Sequence, residues 1–277
     1  MIKPNLFLVG FQKCGSSSLF NFLSQHRDIL ACKPKETFAL ADNRAPMSMT
    51  TTNSSTADIN WLEFYDQKKT KYYLEGSVNN FYQEKALSYI SNLPTKKVIF
   101  IVRDPIERFV STFDYYGRKL TKIGYINNLS KYYDLILNNK DKLDNDGIKY
   151  SLEHGKYSEH ISKWEAEIGM ENVKVIGLKQ LSTQHEIEIR SLFDFLQLPC
   201  PTNFEIPHIN KTKNLKNRKL NYLLMNTLNG NGLGQTYAGI LYRKLNTTKK
   251  RPKIDNDLKL ILEHYYKNEY ALFGDKF

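Results

Sequence analysis

Cysteine is scarce: Cys14, Cys32 and Cys200 are the only three in 277 residues. Their spacing fits neither a metal knuckle nor a C-x-x-C redox pair, so neither organises the fold. No carboxylate cluster calls for a metal, and none is expected. Long apolar runs are also missing. Nothing approaches the roughly 20 residues of a membrane helix, and the first apolar stretch, Leu6–Val9, is too short for a secretory leader. The sequence therefore predicts a cytoplasmic protein with no integral membrane segment. Acidic residues are outnumbered, 29 Asp and Glu against 40 Lys and Arg, which leaves a net charge of +11. That excess suits anionic ligands. It would also suit nucleic acid. However, no nucleic-acid motif occurs, and the basic residues are scattered except near the C-terminus. No internal repeat is present.

The first motif is defined partly by what it lacks. Residues 7–19 run FLVGFQKCGSSSL. An apolar strand ends at Gly10, a short loop follows, and Leu19, Phe20, Phe22 and Leu23 set a helical pattern. A helix N-terminus offers unpaired N–H groups and partial positive charge, and glycine lets the backbone approach an anion. Gly10 and Gly15 have Walker A spacing, but residue 16 is serine where that motif has lysine. The lysine stands earlier, at Lys13. No G-x-G-x-x-G follows the strand. Taken alone, the loop is either a phosphate site or an ordinary strand–helix turn.

A second segment, residues 96–116, runs KKVIFIVRDPIERFVSTFDYY. Val98–Val102 is a continuous apolar run, as expected of a buried parallel strand. Arg103 and Asp104 stand at its carboxyl end, where open α/β sheets bind ligands, and Pro105 suits the first turn of a helix. Ser111 follows about two helical turns on. Taken alone, the segment is equally an Asp104 cap with Arg103 and Arg108 as surface charges.

Further elements are expected as a helix over about 17–25, a strand at 72–75, a helix near 82–91 and another over 105–120. A helix near 156–168, a strand at 173–177, a helix over 184–197 and a terminal helix near 255–270 complete the set. Residues 42–60, rich in Ser, Thr and Asn, predict a long flexible loop or lid. Residues 121–150 carry only weak helical pattern. Strands alternating with helices predict an α/β fold, a central parallel sheet with helices on both faces. The length suits a single domain, 1–277, with a basic C-terminal extension over 203–277.

Together the two motifs resemble the nucleotide-binding elements of sulfotransferases that use 3′-phosphoadenosine 5′-phosphosulfate (PAPS). The first family pattern, K-x-G-[ST]-[ST]-x-L after a strand, is matched by Lys13, Gly15, Ser16, Ser17 and Leu19. The second, R-D-P-x-x-R-x-x-S, is matched by Arg103, Asp104, Pro105, Arg108 and Ser111. The resemblance extends along most of the chain and is nearest to the heparan-sulfate type. Lys35-Glu36-Thr37-Phe38 resembles that group's acidic segment, and Trp61 to Tyr65 its W-x-x-x-[FY] stretch. Glu75 to Phe81 falls where E-K-[ST]-P-x-Y-[FL] would be. Gly155, Lys156, Tyr157, His160 and Trp164 resemble G-x-Y-x-x-H-[IL]-x-x-W, and Asn210-Lys211-Thr212 resembles N-K-T. The departure from membrane-anchored animal enzymes points to a bacterial-like, cytoplasmic form.

The resemblance implies a P-loop-like fold, PAPS as co-substrate, and transfer of a sulfuryl group to a hydroxyl or amine. Lys13 would stabilise charge on the departing phosphate. The loop Lys13, Cys14, Gly15, Ser16, Ser17 and Ser18 would hold the 5′-phosphate, with Cys14 as a buried filler. Arg103 and Ser111 would bind the 3′-phosphate. Glu36 takes the place of the family's general base; Lys33 and Lys35 flank it and favour its ionised form. A solvated Glu36 in a charge run is the alternative, and His154 and His160 are competing bases. Lys249, Lys250 and Arg251, before Pro252-Lys253-Ile254-Asp255, resemble a basic loop that covers the nucleotide; the alternative is a solvated run. Lys211, Lys213, Lys216, Arg218 and Lys219 either line a groove for an acidic glycan or are exposed.

One departure stands out. Gly76 occupies the place of the E-K-[ST]-P lysine, so a neighbour such as Lys35 replaces that charge or the acceptor differs. The expected acceptor is a glycan or glycolipid, possibly anionic in the family manner. The alternatives are a small hydroxylated metabolite, a P-loop kinase or NTPase, and a non-enzymatic nucleic-acid binder.

Overall fold

β-Branched and aromatic residues build a sheet that is buried on both faces. The computed structural model describes residues 2–42, 56, 59–119, 123, 125–143, 145–202, 214–227, 242, 245–248 and 251–277. The chain forms two compact units. The first comprises Met1–Pro105, Lys156–Asn210 and Tyr266–Phe277, and the second Ile106–Gly155 and Lys211–Tyr265.

The first unit is built on five parallel strands: β1 (Leu6–Gly10), β2 (Ile29–Ala31), β3 (Tyr72–Glu75), β4 (Lys97–Val102) and β5 (Val173–Gly177). Their order is β2-β3-β1-β4-β5, and every pairing is parallel. All of β1, and β4 from Val98 onward, is buried, as expected of strands covered on both faces. Successive side chains of β4 demonstrate this. Phe100 packs edge-on to Trp164 of the helix Tyr157–Ile168, with ring centroids 5.9 Å apart. Its neighbour Ile101 faces the other way, towards Gly15 and Leu178. The α/β fold with a central parallel sheet is therefore present as expected.

α1 (Ser16–Leu23) follows β1, α2 (Glu84–Ser91) follows β3, and α3 starts at Pro105 directly after β4. The expected helix over 184–197 is present as His185–Leu196, preceded by a short helix that was not expected, Leu178–Thr183. The terminal helix is two, Asn256–Tyr265 and Lys267–Phe273. β2 was not expected: three residues, two of them only partly buried, carry little pattern. Within the first unit the C-terminal helix is pinned by polar contacts. Glu269 accepts from the Ser158 N–H at 2.9 Å and its hydroxyl at 2.6 Å, and the Tyr270 hydroxyl donates to Asp104 at 3.0 Å.

The second unit contains α3 from Ile106 to Lys119, the helices Leu129–Asn138, Arg218–Thr227 and Asn256–Tyr265, and the antiparallel pair β6 (Asn214–Leu215) and β7 (Thr247–Thr248). Asn128 caps the first of these later helices, its side chain accepting from the Lys131 N–H at 2.8 Å, and Asp255 accepts from Leu258 N–H at 2.8 Å. Phe109, Phe113 and Tyr132 form the aromatic core. Two motif arginines are buried here, not surface charges. Arg108 donates to the Ser151 carbonyl. Arg218 pairs with buried Asp114 and stacks 3.8 Å over the Phe113 ring centroid. Removing one partner of such a pair strands a charge out of water. Asp114→Ala should cost about 3–5 kcal/mol, measured as a shift in the urea midpoint. Asp114→Ala combined with Arg218→Met should recover most of that loss, because a buried pair can be replaced by apolar atoms at little net cost.

Of the predicted flexible loop 42–60, residues 43–55, 57 and 58 lie outside the described residues, as do Asn210, Lys211, Thr212 and Lys213. Among the described residues no helix is long and apolar enough to cross a membrane.

Candidate active site

Four loops leave the carboxyl ends of β1, β2, β3 and β4, and each contributes to one locus in the first unit. This edge is where the strand order of an open sheet reverses and ligands bind.

The loop after β1 sets the frame. Phe11 N–H bonds to the Ile101 carbonyl at 3.0 Å, anchoring the loop to β4. Lys13 then has φ 66° and Gly15 φ 94°, both left-handed. A non-glycine residue there is strained by about 1–2 kcal/mol, and such strain clusters at functional loops. At Gly15 a β-carbon would also meet Leu178 Cδ1 at 2.6 Å, so glycine is required twice over. Gly15 is the N-cap of α1, and no side chain caps that helix. The first N–H groups of a helix have no intrahelical partner. Lys13, Cys14, Gly15, Ser16, Ser17 and Ser18 thus lead into the first turn of α1.

Arg103, at the end of β4, extends Nη1 to within 3.4 Å of the Lys13 carbonyl. The join is completed by a residue whose role the sequence did not reveal. Tyr157, fully buried, donates its hydroxyl to the Arg103 carbonyl at 2.8 Å and lies 3.8 Å from the Cys14 sulfur. Its place in the G-x-Y stretch was the only signal. Cys14 is buried, as a filler should be.

The loop after β2 brings Lys35 and Glu36 to the same place. Lys35 Nζ lies 2.8 Å from Glu36 Oε1, donates to the Gly76 carbonyl at 3.1 Å and stands 3.5 Å from Ser16 Oγ. The Glu36 carboxylate is therefore one ammonium away from the start of α1. Lys33 does not share this role: it pairs with Asp66 at 2.9 Å. The expectation that both lysines flank Glu36 is corrected, because Lys33 and Lys35 diverge around Pro34. Gly76 explains the missing family lysine in steric terms. A β-carbon there would meet Phe20 Cδ2 at 2.6 Å and the Lys35 carbonyl at 3.0 Å, so the aromatic ring fills the place of a side chain. The Lys35 ammonium lies beside this position, 3.1 Å from the Gly76 carbonyl.

Glu75, at the end of β3, is buried. Desolvation pushes its carboxyl above the ordinary glutamate value, and hydrogen bonds from Ser77 and Thr37 oppose that rise. Cys32 is pushed up by burial and then by the neighbouring Glu75 charge, which leaves it an inert thiol.

The remaining expected residues are distributed as follows. Ser111 is buried on α3 in the second unit. Arg251, also in the second unit, is exposed and ion-paired with Glu107. Lys249 and Lys250 lie outside the described residues. His160, half-buried, packs its ring against Phe81 (4.7 Å between centroids) and Phe11 (5.9 Å). His154 is buried in the second unit beside Tyr150. Trp61 and Tyr65 are core residues. Among the described residues no group of three or more metal-ligating side chains occurs.

Comparison with known proteins places the chain in a family. The family model described as "Sulfotransferase domain" matches residues 3–274. A bifunctional heparan sulfate N-deacetylase/N-sulfotransferase 1 of Caenorhabditis briggsae is 21% identical over 203 residues, 71% of this chain. The match spans only 23% of that larger protein. A sulfotransferase crystal structure from Alicyclobacillus acidocaldarius superposes with a TM-score of 0.62 at 21% identity, covering 75% of this chain and 88% of that one. Mouse sulfotransferase SULT7A1, solved with PAP, gives a TM-score of 0.47 at 14% identity over 100% of this chain and 84% of its own. With the family model spanning nearly the whole sequence, the chain belongs to the sulfotransferase family.

Proposed function

We propose that this enzyme moves a sulfuryl group from PAPS to a hydroxyl of a glycan or glycolipid. The observation that supports it most is the meeting of a carboxylate and an ammonium, Glu36 and Lys35, with the uncapped N-terminus of α1. One end of that locus suits an anion and the other a proton acceptor.

The residues fit the nucleotide. The uncapped helix start, the serine hydroxyls and Lys13 suit the 5′-phosphate, with Cys14 supplying backbone only. Arg103 takes the 3′-phosphate, and the R-D-P-x-x-R-x-x-S spacing assigns Ser111 to the same group. Lys249, Lys250 and Arg251 are assigned a covering role by their sequence alone. Bound PAPS supplies an activated sulfur–oxygen bond. Glu36 accepts the acceptor's proton as its oxygen attacks sulfur. Lys13 stabilises the charge that grows on the phosphate oxygen as that bond breaks. Lys35 holds Glu36 towards the loop and adds positive charge where the departing group is anionic. No step calls for a metal. The glycan assignment draws on the heparan sulfate relative and on the net charge of +11, which suits an acidic polymer.

Calorimetry with 3′-phosphoadenosine 5′-phosphate (PAP), AMP and ATP tests the nucleotide half. PAP should bind at least about tenfold more tightly than AMP, since one charge-assisted phosphate contact contributes 1.5 kcal/mol or more. Equal affinities would remove the roles given to Arg103 and Ser111. Preference for ATP with Mg²⁺ would favour an NTPase. An acceptor screen across acidic glycans, glycolipids and small phenols decides the other half.

A further inference from the structure

We propose that Glu75 is a positioning residue for catalysis: it holds Thr37 directly, while its neighbour Gly76 holds Lys35, and so aims the Glu36 carboxylate between them at the sulfuryl site. This rests on the reading of Glu36 as proton acceptor.

Glu75 Oε1 accepts from the Thr37 N–H at 3.3 Å, the Thr37 hydroxyl at 2.9 Å, the Ser77 N–H at 3.1 Å and the Ser77 hydroxyl. Oε2 accepts from the Ser77 N–H at 3.0 Å and Asn80 Nδ2 at 3.0 Å. A carboxylate has about four lone-pair sites, and these donors occupy them. The bonds continue outward. Ser77 Oγ also accepts from the Phe38 N–H at 3.1 Å, and the Gly76 N–H bonds to the Lys35 carbonyl at 3.1 Å. Residues 35, 37 and 38 are thus all tied to residues 75–77. Glu36 lies between them, and its carboxylate meets the Lys35 ammonium, not this clamp.

Burial makes the arrangement costly as mere scaffolding. Glu75 is 1% exposed, and among the described residues no lysine or arginine nitrogen is within hydrogen-bond distance of its carboxylate. A buried carboxylate without a cation is expensive. An apolar side chain would avoid that desolvation, but it would leave Thr37, Ser77 and Asn80 without this acceptor. The gain from the carboxylate is orientation of the segment that carries Glu36.

Glutamine is the sharp substitution. Whichever way the amide turns, its NH₂ faces N–H or O–H donors, and the clamp opens on one side. Glu75→Gln should lower kcat by at least about tenfold, as expected for a misplaced catalytic group. Its Kd for PAP should stay within about twofold, because no Glu75 bond reaches Lys13 or Gly15. Thr37→Val, at a part-exposed position, breaks one arm of the clamp without burying a new group and should lower kcat in the same sense. Thr37→Ser should restore it. Wild-type kcat in folded Glu75→Gln and Thr37→Val would overturn the proposal. So would PAP affinity falling in step with kcat, or a Thr37→Ser enzyme as slow as Thr37→Val. A wild-type chain that bound no PAP would instead overturn the underlying reading, and this one with it.

Discussion

Glu36→Gln is expected to bind PAP as the wild type does and to lose transfer, with kcat lower by about 10² to 10⁴. The carboxamide keeps the size and the contact surface of the carboxylate but has no basic lone pair to take the acceptor's proton. The Lys35–Glu36 ion pair, 2.8 Å long and only partly exposed, weakens without disturbing the loop after β1. Lys35 retains its bond to the Gly76 carbonyl. The effect should therefore fall on kcat and leave the PAP affinity within about twofold. Initial rates and calorimetry on the same preparation measure both quantities. Unimpaired turnover would remove Glu36 from the chemistry and return the base to another group.

Lys13→Ala is the second large effect. Lys13 has a left-handed backbone (φ 66°) two residues before Gly15, the N-cap of α1. Alanine at that φ has much the same strain as lysine, so the fold should be little altered. The loss is one full charge where a phosphate oxygen becomes anionic. Removal of one such stabilising group costs about 10² to 10³ in kcat. PAP affinity should also fall, since the product carries the charge that Lys13 meets. Lys33→Ala is the matched control. Lys33 is exposed and paired with Asp66, away from Glu36, and its loss should leave kcat and thermal midpoint nearly unchanged. Equal losses for the two lysines would point to bulk charge and not to a placed ammonium.

Particular residues show what the sequence could and could not disclose. β1, β3, β4 and β5 were legible because buried parallel strands need unbroken apolar runs, and Leu6–Val9 and Val98–Val102 supply them. β2 was not, because a three-residue edge strand has no periodicity to detect. The loop residues Lys13 and Gly15 and the strand-end Arg103 were legible as motif. Their left-handed angles and the Arg103–Lys13 contact were not, since backbone conformation depends on the anchoring of Phe11 to β4. The contact of Lys35 with the Gly76 carbonyl was not legible, because it depends on Phe20 filling the side-chain space at Gly76. Glu75 and Tyr157 stood inside recognisable stretches. Their roles arise from hydrogen bonds spanning 38 and 54 residues of sequence, which no local pattern encodes. Arg218 shows the opposite failure. It sits in a basic run that looks solvated, yet it is buried against Asp114 and Phe113.

The central claim is that the loop after β1 serves a phosphosulfate donor and not a nucleoside triphosphate. The most direct measurement is the release of PAP from PAPS in the presence of a panel of acidic glycans, glycolipids and small hydroxylated acceptors. Formation of PAP matched by sulfated acceptor, lost in Lys13→Ala, is the expected result. Hydrolysis of ATP with Mg²⁺ and no turnover of PAPS with any acceptor would contradict it.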